Sequence, residues 1–330
     1  MWIEAFENYL HYERNCSERT YTAYAKDLKA FKDYFEENIE TTGKIRQASP
    51  VADDMEDGTC EVPDSELVWY NLDADLVRNW MIREMDRGIA PRSVNRGLSA
   101  LRSFYRFLLM RKMVHRDPVY NLRGPKTEKV LPSFVREQEM DALLDGAYFA
   151  ADFEGMTDHA ILLFFYSTGV RVSELVGINC QDVDFGQRLV KVTGKRNKQR
   201  IIPFGEELET ELKAYLEARE TQEVISAAEQ ALFVMPQTGR RVSKSWVEAR
   251  VKMYLSLVTT TKRRSPHTLR HSFATSMLNH HADLQSVKEL LGHESLATTE
   301  IYTHTTLEEL KQMYNQAHPR APKNSNDYGD

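Results

Sequence analysis

The sequence has little cysteine and no long apolar run. Its three cysteines, Cys16, Cys60 and Cys180, are far apart and form no Cys-x-x-Cys pair, which argues against a disulfide framework and indicates a reducing compartment. No stretch reaches the roughly eighteen apolar residues that a membrane-spanning helix needs. The N-terminal segment MWIEAFENYL lacks a basic stretch followed by an apolar one, so no signal peptide is expected. These absences predict a cytoplasmic protein with no membrane insertion.

Several ligand-binding motifs are also missing. The sequence contains no GxxxxGK[ST], no GxGxxG and no HExxH, which excludes the common phosphate-binding loop, the dinucleotide fingerprint and the zincin motif. His267 and His271 have a spacing that zinc can use, but no cysteine cluster or HExxH accompanies them. The sequence therefore predicts no metal site and no cofactor.

Charge is distributed unevenly along the chain. The net charge is −6, yet residues 36–66 hold ten acidic residues against Lys44 and Arg46. Residues 87–129 hold eleven basic residues against Asp117 and Glu128. Such segregation is typical of a protein with one surface that faces a polyanion, so double-stranded DNA is an expected partner.

Periodicity predicts a mainly α protein with one small antiparallel sheet. A chain of 330 residues is expected to form two domains. Helical spacing over residues 1–117 predicts an all-α N-terminal domain, interrupted by an acidic, aperiodic insert at about 38–66. Prolines and Gly124 among basic residues predict a linker at 118–132. Residues 133–330 read as helices around two strands at 182–203, which predicts a mixed α/β second domain.

One predicted helix of the first domain carries a basic strip. Pro91 occupies the favoured first position of a helix that runs to Met113. At 100° per residue, one strip of this helix contains Arg92, Ser99, Ser103 and two further arginines, Arg96 and Arg106, while the leucines face the other way. The helix contains no acidic residue. We therefore expect the strip to contact phosphate rather than to be merely solvated.

A second basic feature lies at the tip of the predicted hairpin. The turn between the strands contains four cations, Lys195, Arg196, Lys198 and Arg200, which exceeds what a soluble turn needs. We expect this tip to contact DNA or to deliver Lys195 to a phosphate.

The stretch from Pro266 to Tyr302 holds two imidazoles, a guanidinium and a phenol at helix ends. Its residues are His267, Arg270, His293 and Tyr302, with Asp283 as a predicted N-cap and Gly292 as a predicted C-cap. A further helix is expected to open near Ser295 and to carry Tyr302. This set suits a pentacoordinate phosphate, with cationic donors on the equatorial oxygens and a phenolic nucleophile in line.

Four short motifs together resemble the tyrosine recombinases of the phage integrase family. They are TGVRVSEL at 168–175, HTLR at 267–270, LGH at 291–293 and YTH at 302–304. The ending AHPRA at 317–321 resembles the XerC/XerD branch, which resolves chromosome dimers. Two departures are present: Arg196 stands where the family often has a second glycine of the hairpin tip, and the insert at 38–66 is unusual.

The resemblance implies six catalytic residues: Arg171, Lys195, His267, Arg270, His293 and Tyr302. Tyr302 would attack the scissile phosphate and form a 3′-phosphotyrosine, which keeps the phosphodiester energy and so needs neither ATP nor metal. The two arginines and His293 would hold the non-bridging oxygens. His267 would position or deprotonate the tyrosine, and Lys195 would protonate the leaving 5′-oxygen.

The resemblance also implies partners and leaves rival functions open. It implies a homo- or hetero-tetramer with a second recombinase on DNA, strand exchange through a Holliday junction, a DNA translocase of the division site as a further partner, and docking of a C-terminal helix at 307–314 on a neighbouring subunit. The alternatives are a mobile-element integrase or invertase, type IB topoisomerase-like relaxation, and a DNA-binding protein without catalysis.

Overall fold

The structure, a computed structural model, describes residues 1–42, 66–70, 72–127, 133–194, 197–292 and 304–320. The chain divides into two compact units, residues 1–130 and 131–330. Most of the acidic insert and the four predicted site residues Lys195, Arg196, His293 and Tyr302 lie outside the described residues. No helix in the described ranges is both long and apolar enough to cross a membrane.

The first unit is built from helices. They are α1 (Trp2–Asn8), continued by a π-helical turn (Tyr9–Glu13), α2 (Glu18–Thr42), α3 (Leu67–Tyr70), α4 (Ala74–Asp86) and α5 (Pro91–Met110). Their apolar faces meet in an aromatic core, in which the ring of Phe104 lies edge-on to Phe6 at 5.3 Å and to Trp69 at 5.0 Å. The Tyr105 hydroxyl satisfies its hydrogen-bonding capacity in this core by donating to the Trp69 carbonyl oxygen at 2.7 Å.

Helix α5 follows the sequence prediction closely. Pro91 lies at its N-terminus, and the leucines predicted to face inward are buried, while Arg92 and Arg106 are exposed on the other side. The chain after α5 returns along this helix. This path is seen in the hydrogen bond that the Asn95 side-chain amide on α5 donates to the Pro125 carbonyl oxygen at 2.8 Å. Val119 and Leu122 are buried in the same core. The first unit thus includes most of the stretch predicted as a linker.

The second unit combines helices with one small sheet. Its elements are α6 (Glu137–Leu144), α7 (Phe153–Thr168), α8 (Val172–Gly177), a 3₁₀ turn (Cys180–Asp182), β1 (Val183–Asp184), β2 (Leu189–Thr193), β3 (Gln199–Pro203), α9 (Glu206–Glu220), α10 (Lys244–Val258), α11 (Pro266–Asn279), α12 (Leu284–Leu291) and α13 (His304–Ala317). Helix α7 is buried along most of its length and packs mainly on α9 and α11. The mainly helical architecture with one small antiparallel sheet confirms the predicted fold class.

The sheet register presents the hairpin tip. Strands β1, β2 and β3 are antiparallel in sequence order, with Leu189 opposite Pro203 and Thr193 opposite Gln199. The Gly194 amide donates to the Lys198 carbonyl oxygen at 2.8 Å, which continues the ladder by one pair beyond the strands. The predicted hairpin is therefore confirmed.

The C-terminal helix α13 packs on its own unit. The buried Tyr314 hydroxyl donates to the Ser167 carbonyl oxygen of α7 at 3.0 Å, and Leu310 joins the same core. Beyond the helix, buried His318 lies 3.2 Å from the Tyr166 carbonyl oxygen, and Arg320 forms ion pairs with three carboxylates. In this single chain Leu310 and Tyr314 find their apolar environment within their own unit. Docking of residues 307–314 on a neighbouring subunit stays a prediction.

Candidate active site

A glycine turn between α7 and α8 brings Arg171 to the site. Gly169 ends α7 in the left-handed region with φ of +59°. A Cβ at Gly169 would lie 2.4 Å from a ring carbon of Phe273 on α11, so only glycine lets the chain turn this close to that helix. Arg171 then takes the N-cap position of α8 in an extended conformation, with its side chain half-buried.

Glu174 is the carboxylate around which the site is organised. It is 2% exposed, and its Oε2 accepts a hydrogen bond from the Arg171 amide at 2.8 Å, as a residue at position N3 of a capping box does. Its Oε1 also accepts from Nη1 of Arg171 at 2.7 Å. From the other side, Arg200 on β3 donates to both oxygens of Glu174 at 2.9 Å each, in a bidentate bridge.

These contacts keep Glu174 ionised. Burial alone would raise the pKa of its carboxyl group, but the guanidinium groups of Arg200 and Arg171, with the Arg171 amide, lower that pKa to about 2. The anion in turn fixes the direction of both arginine side chains. One negative charge is therefore held beside two positive ones, and the local balance remains cationic.

Arg270 adds a third guanidinium group to the cluster that Arg171 and Arg200 form around Glu174. It lies on α11, is 7% exposed, and donates from Nη1 to the Gly169 carbonyl oxygen at 2.6 Å and from Nη2 to the Leu291 carbonyl oxygen. Among the described residues, its hydrogen bonds thus go to two backbone carbonyls and not to a carboxylate. Burial, together with the positive charges of Arg171 and Arg200, lowers the pKa of Arg270 to about 9. An anion bound here would relieve that repulsion.

The end of α12 closes the cluster. Asp283 caps the start of this helix by accepting from the Ser286 amide at 2.9 Å, and Gly292 ends it with φ of +63°, which confirms both predicted caps. The carbonyl oxygen of Gly292 accepts from Nη2 of Arg171 at 3.3 Å. The structure therefore brings Arg171 and Arg270 to neighbouring carbonyl oxygens, those of Gly292 and Leu291, at the end of α12.

Of the other four predicted catalytic residues, the structure describes His267. His267 lies on the first turn of α11, three residues before Arg270, and is exposed. Lys195, His293 and Tyr302 lie outside the described residues, although Gly194 lies so close to Glu174 that a Cβ there would come within 3.2 Å of Oε1. Gly194 and Gly292, the described residues that directly precede Lys195 and His293, thus both lie at the arginine cluster.

The basic strip of α5 is only partly free. Arg92 and Arg106 are exposed, whereas Arg96 is held by Asp27 of α2 through two hydrogen bonds of 2.8 Å. The arginine remains 53% exposed, so it stays on the surface but carries a counter-charge that the helix sequence alone does not show. Tyr24 and Arg92 line a shallow cavity beside this pair.

At the hairpin, the prediction for Arg200 is wrong. Its guanidinium group is 8% exposed and fully engaged with Glu174 and with the Leu290 carbonyl oxygen, so it faces the interior and not a DNA surface. The physical reason is strand alternation, since Arg200 and Ile202 share the buried face of β3. Lys198 is exposed, as predicted, and Arg196 lies outside the described residues.

Sequence reasoning missed Glu174 as a site residue. The signal was present in part, because a glutamate three residues after Arg171 fits a capping box at the start of a helix. The partnership between Glu174 and Arg200, which lie 26 residues apart, has no such local signature.

Comparison with known proteins agrees with this architecture. Residues 133–309 match the Phage integrase family, and residues 3–51 and 63–112 match its N-terminal SAM-like domain. The chain is 38% identical to tyrosine recombinase XerC of Chlorobaculum tepidum over 97% of this chain and 95% of that protein. It is 34% identical to tyrosine recombinase XerD of Staphylococcus epidermidis over 97% of this chain and 99% of that protein.

Two solved structures share the fold at low sequence identity. The XerH site-specific recombinase bound to palindromic difH substrate, a post-cleavage complex, gives a TM-score of 0.65 at 20% identity and covers 94% of this chain and 83% of its own. A lambda integrase dimer bound to a COC′ core site gives a TM-score of 0.60 at 17% identity and covers 91% and 98%. The chain therefore belongs to the phage integrase family, the tyrosine recombinases, which cut and rejoin DNA through a covalent tyrosine intermediate.

Proposed function

We propose that this recombinase resolves chromosome dimers by recombining two copies of a chromosomal terminus site during chromosome segregation. The proposal draws on full-length similarity to proteins named XerC and XerD. It also draws on the C-terminal AHPRA segment, whose Ala317 and His318 are buried and whose Arg320 is engaged in ion pairs, so that the segment is an integral part of the second unit.

In this proposal Tyr302 is the nucleophile. Its oxygen forms a bond to the scissile phosphorus, the P–O5′ bond breaks, and the 3′-phosphotyrosine retains the phosphodiester while a 5′-hydroxyl is released. His267 accepts or positions the phenolic proton, because a phenol with a pKa near 10 is mostly protonated at neutral pH. Lys195 supplies the proton to the departing 5′-oxygen, and His293 donates to a non-bridging oxygen.

One observation carries the proposal for the phosphate ligands. Arg270 is buried beside two other guanidinium groups, and within the described part of the chain only backbone carbonyls accept its hydrogen bonds. A buried cation that lacks a paired anion costs free energy, and a fold keeps it where an anionic ligand supplies the missing charge. With half-buried Arg171 beside it, Arg270 offers the planar donors that a phosphodiester accepts bidentately.

We assign the remaining DNA contacts to the phosphate backbone. Arg92, Arg96 and Arg106 form the strip on α5, and Arg196 and Lys198 belong to the hairpin tip. Contacts of this kind position a protein on a duplex without reading its sequence, so the recognised site is set by other residues. The duplex is the substrate of a homo- or hetero-tetramer with a second recombinase in the cytoplasm, and a DNA translocase of the division site is a further proposed partner.

The proposal is tested with a plasmid that carries two candidate terminus sites from the host chromosome, chosen first by a gel-shift panel. We expect the protein, alone or with a second recombinase of the same host, to give Holliday junctions and resolved circles. Loss of the gene is expected to leave chromosome dimers that block division. Relaxation of supercoils without junctions would identify a topoisomerase instead, and binding without any adduct would identify a non-catalytic DNA-binding protein. Recombination confined to the ends of a mobile element would place the enzyme among integrases or invertases.

A further inference from the structure

Arg200 contacts two different parts of the site at once. Its Nη1 and Nη2 atoms bridge Glu174 at the start of α8, and its Nε donates to the Leu290 carbonyl oxygen at the end of α12 at 2.7 Å. All three contacts involve a side chain that solvent barely reaches. A single guanidinium group on β3 therefore ties the segment that carries Arg171 to the segment that leads into residue 293.

The end of α12 is held by three arginines from three elements. Carbonyl oxygens at successive positions each accept from a different guanidinium group: Leu290 from Arg200, Leu291 from Arg270 and Gly292 from Arg171. The last carbonyls of a helix have no intrahelical donor and carry the negative end of the helix dipole. These arginines therefore satisfy the helix terminus and, in doing so, are fixed relative to one another.

The fold alone does not require an arginine at this position. The buried face of β3 also carries Ile202, and an aliphatic residue at position 200 would continue that apolar row. Replacing both partners of a buried ion pair with apolar side chains of similar volume is often neutral or stabilising, so the fold could do without the Arg200–Glu174 bridge as a whole. Replacing Arg200 alone leaves buried Glu174 with Arg171 as its remaining guanidinium partner. Arg200 also lies close to the backbone of Gly292, since a Cβ at Gly292 would lie 3.3 Å from the Arg200 side chain.

We infer that Arg200 is a positioning residue for strand cleavage: through Glu174 and the Leu290 carbonyl it sets the distance between Arg171 and the chain entering residue 293. The inference rests on the proposed roles of Arg171 and His293 as phosphate ligands. Without Arg200, the two segments keep their own secondary structure and the contact from Arg171 to the Gly292 carbonyl oxygen, but they lose the bridge through Glu174 and Leu290 that fixes their alignment. Misplacement of a phosphate ligand by about 1 Å is enough to lower the rate of chemistry strongly.

The test compares variants of Arg200 with a matched arginine that lies in the same unit. Arg200→Met removes the bridge, and Arg200→Lys keeps the charge but loses the planar fork. Arg250→Met is the control, because Arg250 also bridges a buried carboxylate, Asp158, from a separate helix. For each full-length protein, three quantities are measured: the melting temperature, the dissociation constant for the recombination site, and the single-turnover rate of covalent adduct formation on a nicked suicide substrate.

We expect Arg200→Met to lower the single-turnover rate by about tenfold to a hundredfold relative to Arg250→Met at equal folded fraction, with DNA affinity unchanged within about twofold. Arg200→Lys is expected to recover part of that rate. If Arg200→Met melts below the assay temperature, Arg200→Lys decides, and a rate equal to that of the wild type overturns the inference.

Two further results would also overturn the inference while leaving the proposed function intact. One is a rate for Arg200→Met that equals the rate for Arg250→Met. The other is a loss confined to DNA affinity, with a shallower dependence on salt, which would make Arg200 a phosphate contact after all. Failure of the wild-type protein to form any adduct would instead count against the proposed function, so the two failures are distinguishable.

Discussion

Replacing Glu174 with glutamine tests the electrostatic core of the site. The substitution keeps the shape of the side chain but removes the one negative charge between Arg171 and Arg200. A pKa that falls from 4.5 to about 2 on folding corresponds to about 3 kcal/mol of stability at neutral pH. Removing one partner of a buried ion pair costs about 3–5 kcal/mol in other proteins, which agrees with that magnitude. We therefore expect Glu174→Gln to lower the free energy of unfolding of the second unit by about 3 kcal/mol at pH 7.

The pH dependence gives this prediction a sign. Because the pKa of Glu174 is lower in the folded state than in the unfolded state, its contribution is complete above the unfolded value of 4.5 and is lost as pH falls through about 2. The difference between wild type and Glu174→Gln should therefore shrink on acidification, to less than about half of its full value near pH 3. At Asp158, where burial raises the pKa, acidification should not shrink the corresponding difference for Asp158→Asn, and Arg250 keeps Glu154 as a partner at 2.8 Å in that control.

The assay is urea unfolding at a series of pH values, with pulsed hydrogen exchange on peptides from residues 160–180 so that the second unit is followed by itself. A loss below about 1 kcal/mol at pH 7 would refute the claim that Glu174 organises the arginines. So would a difference from wild type that stays constant between pH 5 and pH 3.

Three further predictions concern other parts of the chain. Gly169→Ala should lower the free energy of unfolding, measured in urea, by about 1–3 kcal/mol, because φ is +59° and the added Cβ would lie 2.4 Å from a phenylalanine ring carbon. Its control is Gly177→Ala, which should be tolerated because the added Cβ meets nothing within 4 Å. Burial lowers the pKa of His318 to about 4, so the unfolded state takes up a proton first as pH falls, and the free energy of unfolding of the wild type should drop by about 2 kcal/mol between pH 7 and pH 5. His318→Gln should lack this drop. Parallel pH profiles of unfolding for the two proteins would contradict the assignment. Asp27→Asn should strengthen DNA binding about two- to fivefold in a salt-matched gel shift by releasing Arg96, and weaker or equal binding would argue against a DNA-facing strip.

Local signals in the sequence predicted much of this structure. The apolar periodicity of α5, its N-terminal Pro91, and the Asp283 and Gly292 caps of α12 all act within one or two turns of chain, so the residues that cause them are close together in sequence. The hairpin and its register follow from two β-runs joined by a short turn. The motif around Arg171 and Arg270 also indicated that these two arginines converge, which the structure confirms.

What the sequence did not predict is pairing between distant elements. Arg96 reads as a free cation on its own helix, but its partner Asp27 lies 69 residues away on α2. Arg200 reads as part of a basic turn, but strand alternation turns it inward to Glu174. In both cases a charge was judged by its neighbours in sequence, whereas its environment is set by tertiary packing.

Mapping the covalent bond tests the central claim most directly. A nicked suicide substrate traps the protein on DNA, nuclease and protease digestion follow, and mass spectrometry locates the residual nucleotide on a peptide. We predict phosphotyrosine at Tyr302, no adduct for Tyr302→Phe, and a normal adduct for Tyr314→Phe, since the Tyr314 hydroxyl is buried against Ser167. An adduct that persists in Tyr302→Phe, or that maps to another residue, would contradict the account.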